Sequence, residues 1–264
     1  MSATITVTNQ KGGVGKSTTA VNLGSAVATR GGRVLIIDLD PQLNATSALG
    51  VGKDRLRSVH GVLLRDELID FAVVSTSVPR LSLLPSSVDM ASAEVELVPV
   101  MAREFRLRTS LSRLRGYDLV LIDCPPSLGL LTINALVAAD HVIVPVQCEY
   151  LALEGLAQLV STIDAVRVRL NPALSILAIL LTMEDRRNRL SMQVADEVTR
   201  HFPDLVARTR IPRSVRLAEA PSHGQPIDVY DPSSRAAAAY ADFAREIESR
   251  LAAKRPMSVA GAAS

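Results

Sequence analysis

The chain has 264 residues, 48% of them hydrophobic and 21% charged, and its formal net charge is +2. This length suits one large α/β domain better than a two-domain split. The weak net charge excludes a protein that binds polyanions through its overall charge, but a local basic patch is still possible. The 3% aromatic content disfavours recognition of single-stranded nucleic acid by base stacking.

Short apolar runs alternate with longer helical patterns along the chain. Most of the runs lack polar alternation, which is typical of strands buried on both faces of a parallel sheet. The alternation of strands and helices predicts right-handed βαβ units in a doubly wound, mostly parallel α/β sheet flanked by helices. The predicted strands are 3–8, 33–38, 80–87, 117–123, 141–146 and 174–182, and the predicted helices are 17–30, 129–139, 151–170, 190–201 and 234–254.

These elements predict a single domain over 1–254, followed by a flexible tail over 255–264 that begins after a helix-stopping proline. Cys124 and Cys148 have neither CxxC nor metal-ligand spacing, so we interpret them as buried, reduced thiols. No apolar run approaches the length of a membrane span, and the first strand begins without a preceding signal peptide. We therefore expect a cytoplasmic protein that does not bind a membrane.

A glycine-rich turn, KGGVGKSTT, joins the first strand to the first helix. Its glycines permit positive φ angles, which bring successive backbone N–H groups onto a phosphate. Lys16 begins the helix and is placed to reach the β and γ phosphates, while the Ser17 hydroxyl suits Mg²⁺. Gln10 stands where the usual phosphate-loop pattern has its first glycine, but the strand before and the helix after favour such a loop. The predicted phosphate-binding residues are Lys11, Gly12, Gly13, Val14, Gly15, Lys16, Ser17 and Thr18.

Lys11 is a second cation at the mouth of a loop that Lys16 already neutralises. Phosphoryl transfer spreads negative charge over the γ oxygens and the bridging oxygen, where a further cation is stabilising. The alternative is that Lys11 is a solvated loop charge.

Three aspartates follow apolar runs of strand length: Asp38, Asp40 and Asp123. Strand alternation turns Asp38 and Asp40 to the same face, beyond the carboxyl edge where ligands bind in such sheets. Asp123 closes a buried strand beside the loop and is a candidate Mg²⁺ ligand, because a buried carboxylate without a partner is costly. For Asp38, a role in capping the turn at Pro41 is a serious alternative.

The motifs KGGVGKST, DLDPQLNAT and LIDCPPSLG, with the stretches VPVQCEYLALEGL and IPRSVRLAEAPSHGQPI, resemble the deviant Walker A ATPases, most closely the ParA/Soj partitioning proteins. The resemblance covers nearly the whole chain and implies an Mg²⁺-dependent ATP hydrolase. It implies that Lys11 crosses a dimer interface to the partner's ATP and that Asp40 positions the attacking water. The family often has Gly where this chain has Leu43. The implied catalytic residues are Lys11, Lys16, Asp40 and Asp123, and the implied metal site comprises Ser17, Asp38, Asp40 and Asp123.

For the adenine, the resemblance points to Met183 and to the residues Pro212, Arg213 and Ser214. Asparagine is common in the family at Ser214, so the base contact there differs. For Met183, ordinary core packing is an equal alternative, since methionine is a common gap-filler.

Between residues 184 and 216 eight arginines face five acids, a local balance of 8 − 5 = +3 that exceeds the +2 of the whole chain. Arginines without aromatics suit sequence-independent contact with a phosphate backbone, whereas a solvated helical face is the alternative. The family binds non-specific DNA through this region, which makes Arg187, Arg189 and Arg216 the candidates.

The resemblance therefore implies a DNA-segregation ATPase that forms a homodimer with ATP, binds non-specific double-stranded DNA on the nucleoid and is stimulated by a ParB-like partner. Two other readings stay open. One is a MinD-like ATPase that cycles on a membrane, which would want a C-terminal amphipathic helix with bulky apolar residues that the tail over 255–264 lacks. The other is a ParA-like protein that positions a protein cargo.

Overall fold

The computed structural model describes residues 3–52, 57–149, 152–185 and 187–254. Its strands are β1 (Ala3–Val7), β2 (Val34–Asp38), β3 (Val74–Ser75), β4 (Leu81–Leu84), β5 (Leu119–Asp123), β6 (His141–Gln147) and β7 (Ser175–Thr182). Its α-helices are α1 (Lys16–Thr29), α2 (Asn44–Ala48), α3 (Val59–Leu64), α4 (Ile69–Ala72), α5 (Met90–Leu97), α6 (Arg106–Leu111), α7 (Leu130–Ala138), α8 (Ala152–Arg169), α9 (Arg189–His201), α10 (Val215–Glu219), α11 (Ile227–Tyr230) and α12 (Arg235–Lys254). Two 3₁₀ helices cover Arg103–Phe105 and Ala220–His223.

The strands form one sheet in the order β3-β4-β2-β5-β1-β6-β7. All neighbouring pairs are parallel except β3 with β4, which is antiparallel at the sheet edge. The predicted doubly wound, mostly parallel sheet is confirmed. Because β1 lies between β5 and β6, the loop after β1 is flanked by the ends of both strands.

Successive side chains of the central strands point to opposite faces, and each face has its own apolar layer. On β2, Ile36 packs with α1 and α12, whereas Leu35 and Ile37 pack with α3, α5 and α7. A third cluster joins β6 and β7 to α8 and α9. Helix α1 lies very close to β2, since a β-carbon on Gly24 would sit 2.9 Å from the Ile36 side chain.

The predicted strands and long helices are found with ends that differ by no more than three residues. The two-residue strand β3, the short helices α2 to α6, and α10 and α11 were not predicted. These elements span too few residues to show a period in the sequence. The predicted tail over 255–264 lies outside the described residues.

Candidate functional site

The phosphate-binding loop is held open by its glycines and tied to neighbouring strands. Gly13 and Gly15 have φ angles of 75° and 90°, which an L side chain rarely adopts. The Thr182 hydroxyl at the end of β7 donates to the Val14 carbonyl (2.9 Å). The Asn9 amide donates to the Pro145 carbonyl (2.7 Å) and accepts from the Lys11 N–H (3.0 Å). These hydrogen bonds fix the position of the loop relative to β6 and β7.

Lys16 is buried at the start of α1, where its Nζ donates to the Lys11 carbonyl (3.1 Å). Burial lowers the pKa of Lys16, and the negative charges of Asp123 and Asp40 oppose that shift. A buried ammonium held near two carboxylates is pre-oriented to receive a phosphate.

Lys11 points away from Lys16. Its Nζ lies 3.0 Å from Oε2 of Glu149, just after β6, and the two side chains are 49% and 47% exposed. Lys11 is absent from the residues that line the cavity described below. Within the described residues, its ammonium therefore faces the surface of its own chain and is accessible to another molecule.

Asp123 ends β5 next to Asp38, its register partner on β2, and both are fully buried. Neither carboxylate oxygen of Asp123 accepts a hydrogen bond of regular geometry within the described residues, although the Ser17 hydroxyl lies close enough to interact with it. Burial, followed by the nearby Asp38, raises the pKa of Asp123 well above its usual range, while Ser17 and Lys16 favour the charged form. A buried carboxylate whose oxygens accept no regular hydrogen bond is the kind of group that a cation satisfies.

Asp38, in contrast, uses both oxygens inside the protein. Its Oδ2 accepts from the Thr46 hydroxyl (2.6 Å) and the Thr46 N–H (2.8 Å), and its Oδ1 accepts from the Asp40 N–H (3.1 Å). Burial raises the pKa of Asp38 to about 6 in spite of these hydrogen bonds. This arrangement resembles the turn-holding alternative more than direct metal ligation. Neither Asp38 nor Asp123 is among the residues that line the cavity, so their hydrogen bonds distinguish them and their position does not.

Asp40 lines the cavity, with Oδ1 accepting from the Gln42 N–H (2.9 Å). Leu43 follows in the left-handed region at φ 56° and its side chain is buried. A glycine would adopt that backbone conformation without strain, whereas leucine costs about 1 to 2 kcal/mol there. The strained turn places Asp40 between the phosphate loop and α2.

A cavity of about 270 Å³ opens at the loop. Eight of the site residues predicted from the sequence line it: Gly12, Gly13, Gly15, Lys16, Ser17, Thr18, Asp40 and Met183. Met183 lies in the left-handed region at φ 52° and is half-buried at this wall, outside the three apolar clusters, which favours the binding-site reading over core packing.

The far wall of the cavity was not predicted. Val21, Asn22, Gln42, Asn44, Ala48, Pro126, Ala220, Pro221 and Gln225 complete the lining. The last three approach because Gly224, at φ 64°, packs against Gly50, where a β-carbon on Gly224 would lie 2.7 Å from the Gly50 Cα. Each of the two glycines can be seen in the sequence, but the sequence does not show that residues so far apart along the chain lie in contact.

Pro212, Arg213 and Ser214 are not brought to this cavity. Pro212 and Arg213 line a neighbouring groove of about 740 Å³, and Ser214 caps α10 by accepting from the Leu217 N–H (3.3 Å). Pro212 pairs with Glu184, one residue after Met183, so the groove and the cavity share a wall.

The groove carries four arginines and three acids: Arg187, Arg210, Arg213, Arg235, Glu184, Asp185 and Asp242. Arg210 pairs with Glu184 (2.7 Å). Arg187 and Arg189 are exposed beside it. Arg216 is also exposed, but its guanidinium contacts Glu219 (3.1 Å) and Asp231 (3.8 Å). Arg186, counted in the basic segment, lies outside the described residues.

The two cysteines are free and buried, as predicted. Within the part of the chain that the structure describes, no helix is long and apolar enough to cross a membrane.

The fold and the loop define a P-loop nucleotide-binding protein, and the comparisons agree. A model of an AAA domain matches residues 2–176. The sporulation initiation inhibitor protein Soj of Bacillus subtilis is 53% identical over 249 residues, covering 94% of this chain and 98% of Soj. The chromosome partitioning protein ParA of Caulobacter vibrioides is 50% identical, covering 93% and 94% of the two chains. The chain belongs to the ParA/Soj family of chromosome-partitioning proteins.

A solved structure is similar over the same extent. It is a cobyrinic acid a,c-diamide synthase from Mycobacterium smegmatis, crystallised with an ATP analogue and magnesium, at 40% identity and a TM-score of 0.85. The match covers 97% of this chain and 98% of that one. That structure therefore holds a nucleotide on the same fold.

Proposed function

We propose that this chain binds ATP and Mg²⁺ in the cavity at the phosphate loop, dimerises with ATP, and hydrolyses ATP in a cycle that segregates DNA. The observation that carries the proposal is Asp123, whose two buried oxygens accept no hydrogen bond of regular geometry within the described residues and lie near Ser17 and the buried Lys16. Such a carboxylate beside a glycine-rich loop fits a cation bound together with a polyphosphate.

The residues present fit both groups. Added β-carbons on Gly12 and Gly13 would meet nothing within 4 Å, and both residues line the cavity, so the loop backbone there is accessible to phosphate oxygens. Within the described residues, no three His, Cys, Asp or Glu side chains converge into a metal cluster. That suits Mg²⁺, which takes one or two carboxylates and completes its shell with water and substrate phosphates. Asp123 and Ser17 are the proposed holders of Mg²⁺, and Met183 with Pro221 and Gln225 is proposed to face the base.

The chemistry follows from where the charges lie. When bound, Mg²⁺ supplies positive charge that offsets the charge developing on the transferred phosphoryl group. Lys16 and the loop N–H groups hold the phosphates in place. Asp40, directed into the cavity, orients the attacking water. Asp38 acts through the backbone of Asp40 and through Thr46, so we propose it as a positioning residue of the metal site rather than a ligand.

Lys11 completes the site of a second copy. Lys11 does not line its own cavity, and within the described residues its exposed ammonium is held by a surface ion pair with Glu149. Exposed pairs contribute about 0 to 1 kcal/mol, so a triphosphate on a twofold-related partner can capture Lys11 at small cost. This in-trans contact makes the dimer depend on ATP.

The DNA contact is proposed for the arginine-rich face around the second groove. Arg187 and Arg189 are exposed there, and Arg187 and Arg213 line the groove, where four arginines outnumber three acids. Arg216 must exchange its contacts with Glu219 and Asp231 for phosphates. The binding is to phosphate backbone and independent of sequence, which makes the protein nucleoid-associated in the cytoplasm. A ParB-like protein is the proposed activator of hydrolysis.

Other functions are less well supported. The similarity to a cobyrinic acid a,c-diamide synthase is at lower identity than the similarity to Soj and ParA. A MinD-like membrane cycle would rest on a C-terminal amphipathic segment in residues 255–264, outside the described residues. A ParA-like protein that positions a protein cargo would keep the same nucleotide and DNA sites.

The test is binding of the purified protein to random-sequence duplex DNA with ATP, with ADP and without nucleotide, followed by gel shift. We expect tight binding only with ATP and equal affinity for unrelated sequences. Binding that ignores the nucleotide, or that selects one sequence, would overturn the proposed cycle.

A further inference from the structure

The outer side of α5 and the turn after it carry the densest group of exposed apolar side chains in the described part of the chain. Ten large hydrophobic residues are exposed in the described part of the chain. Four of them lie within 88–101: Val88 (62%), Val95 (75%), Val98 (56%) and Met101 (91%). Isolated exposed hydrophobic residues are ordinary, but a contiguous group marks an interaction surface.

The helical spacing makes this group a continuous face. Ala91, Val95 and Val98 recur at intervals of four and three, so they share one side of α5. Met90, Ala93 and Leu97 occupy the opposite side and are buried. The helix is therefore apolar on both sides, although only one side is needed for the core. We call Val88, Ala91, Val95, Val98 and Met101 the α5 face.

The charge around the α5 face is acidic. Residues 86–104 contain four acids, Asp89, Glu94, Glu96 and Glu104, and one arginine, Arg103, a balance of 1 − 4 = −3 in a chain of +2. Arg103 donates to the Val98 carbonyl and pairs with Glu104. Asp89 and Glu96 are exposed. Such an acidic segment repels DNA and anionic lipid, and it attracts a protein segment that carries Lys or Arg beside apolar side chains.

The α5 face is connected to the nucleotide cavity through Glu94. One oxygen of this carboxylate, Oε1, is buried and has no hydrogen-bond partner within the described residues. The carboxylate lies against Gly129, where a β-carbon would collide with it. Gly129 caps α7 at the end of the segment that starts after Asp123, and Pro126 in that segment lines the cavity.

The buried side of α5 makes a second connection. Met90, Ala93 and Leu97 share an apolar cluster with Leu131 of α7 and with Cys124, the residue after Asp123. Close-packed side chains transmit a displacement instead of absorbing it. A molecule bound to the α5 face therefore contacts a helix that packs against both ends of the segment 124–129.

We propose that the α5 face is the docking site of the activating protein, which binds it with an apolar segment flanked by lysine or arginine. The proposal rests on the proposed function for the existence of a ParB-like activator. It adds where the activator binds and how binding reaches the carboxylates of the site, by pressing Glu94 and the apolar cluster against the segment after Asp123. The α5 face and the arginine-rich DNA face carry opposite charge, so one molecule can hold DNA and activator together.

The test uses Val95→Glu, with Val168→Glu as the matched control, since Val168 on α8 is 76% exposed. ATP hydrolysis is measured with random duplex DNA and increasing amounts of the purified ParB-like partner. We expect Val95→Glu to raise the half-stimulating concentration of the partner at least tenfold, and Val168→Glu to leave it unchanged. Basal hydrolysis and DNA binding should be unchanged in both variants.

A second variant reports on contact directly. Both native cysteines are buried, so Val95→Cys can be labelled alone with a photocrosslinker. We expect it to crosslink to the partner, and the same label on Val168→Cys not to do so. Equal stimulation of Val95→Glu and wild type, or an absent crosslink at position 95, overturns the docking site and leaves the proposed function standing.

Two further results would also count against it. If the partner does not stimulate ATP hydrolysis by the wild type, both the proposed activator and its proposed docking site are wrong. If Val95→Glu changes the oligomeric state without partner present, the α5 face belongs to a second copy of the chain, and the proposal is wrong.

Discussion

Replacing Lys11 with alanine distinguishes the role of Lys11 in dimerisation from the role of Lys16 in ATP binding. In a single chain, among the residues that the structure describes, the change removes the Lys11–Glu149 ion pair, 3.0 Å long between side chains that are about half exposed. Such a pair contributes about 0 to 1 kcal/mol, so folding is preserved. Because Lys11 does not line the cavity, we expect the ATP dissociation constant to change by less than about threefold.

The dimer is affected far more. A twofold axis uses the same contact twice. Each charge-assisted hydrogen bond from Lys11 to a partner's phosphate contributes about 1.5 to 3 kcal/mol, and releasing Lys11 from Glu149 offsets about 0.5 kcal/mol of that. The two contacts together therefore contribute about 2 to 5 kcal/mol, which makes the Lys11→Ala dimer about 30- to 5,000-fold weaker.

The assay is sedimentation or light scattering across a concentration series with ATP, beside calorimetry for ATP binding. Arg30→Ala is the control, because it removes a similarly exposed ion pair, to Glu248 (2.9 Å), away from the loop. We expect Arg30→Ala to dimerise like the wild type. Wild-type dimerisation of Lys11→Ala, or loss of its ATP affinity, would refute the reasoning.

Three further changes probe the site and the surface. Lys16→Ala should abolish ATP binding in calorimetry because it removes the buried cation of the loop, and undiminished affinity would contradict the assignment. Arg216→Ala should weaken DNA binding equally across sequences and reduce the salt slope by about one; a loss confined to one sequence would count against backbone contact. Thr46→Val removes the hydroxyl that donates to Asp38 (2.6 Å) and accepts from the Ser86 N–H (3.1 Å), so the free energy of unfolding should fall by about 2 to 3 kcal/mol. Urea unfolding measures that change, and Thr162→Val, which loses one exposed hydrogen bond to the Gln158 carbonyl, is the control; equal effects would show that the buried network adds nothing.

The long elements of the fold were predictable because burial on both faces leaves unbroken apolar runs. The residues of β2 and β5 are all buried, and no polar alternation interrupts them before Asp38 and Asp123. The segment between β2 and β5 was poorly predicted, since its helices are short and depend on tertiary packing. Helix α2, for example, begins after Leu43, which has a left-handed backbone conformation. A leucine in the sequence does not predict that conformation.

The loop side of the site could be predicted because its residues are contiguous. The opposite wall could not, because the approach of Gly224 to Gly50 and the pairing of Lys11 with Glu149 join residues more than a hundred positions apart. Asp38 and Asp40 share a sequence motif, but only the structure separates the one held by Thr46 from the one directed into the cavity.

The central claim is that Lys11 serves the site of a second molecule, and mixing two inactive variants tests it most directly. Lys11→Ala keeps its own Asp40, and Asp40→Ala keeps its own Lys11. In a mixed dimer, an in-trans lysine completes one of the two sites, so hydrolysis should recover to as much as about a quarter of the wild-type rate at equal mixing. If Lys11 acts within its own chain, neither site in the mixed dimer is complete, and a mixture as inactive as its separate components would contradict the account.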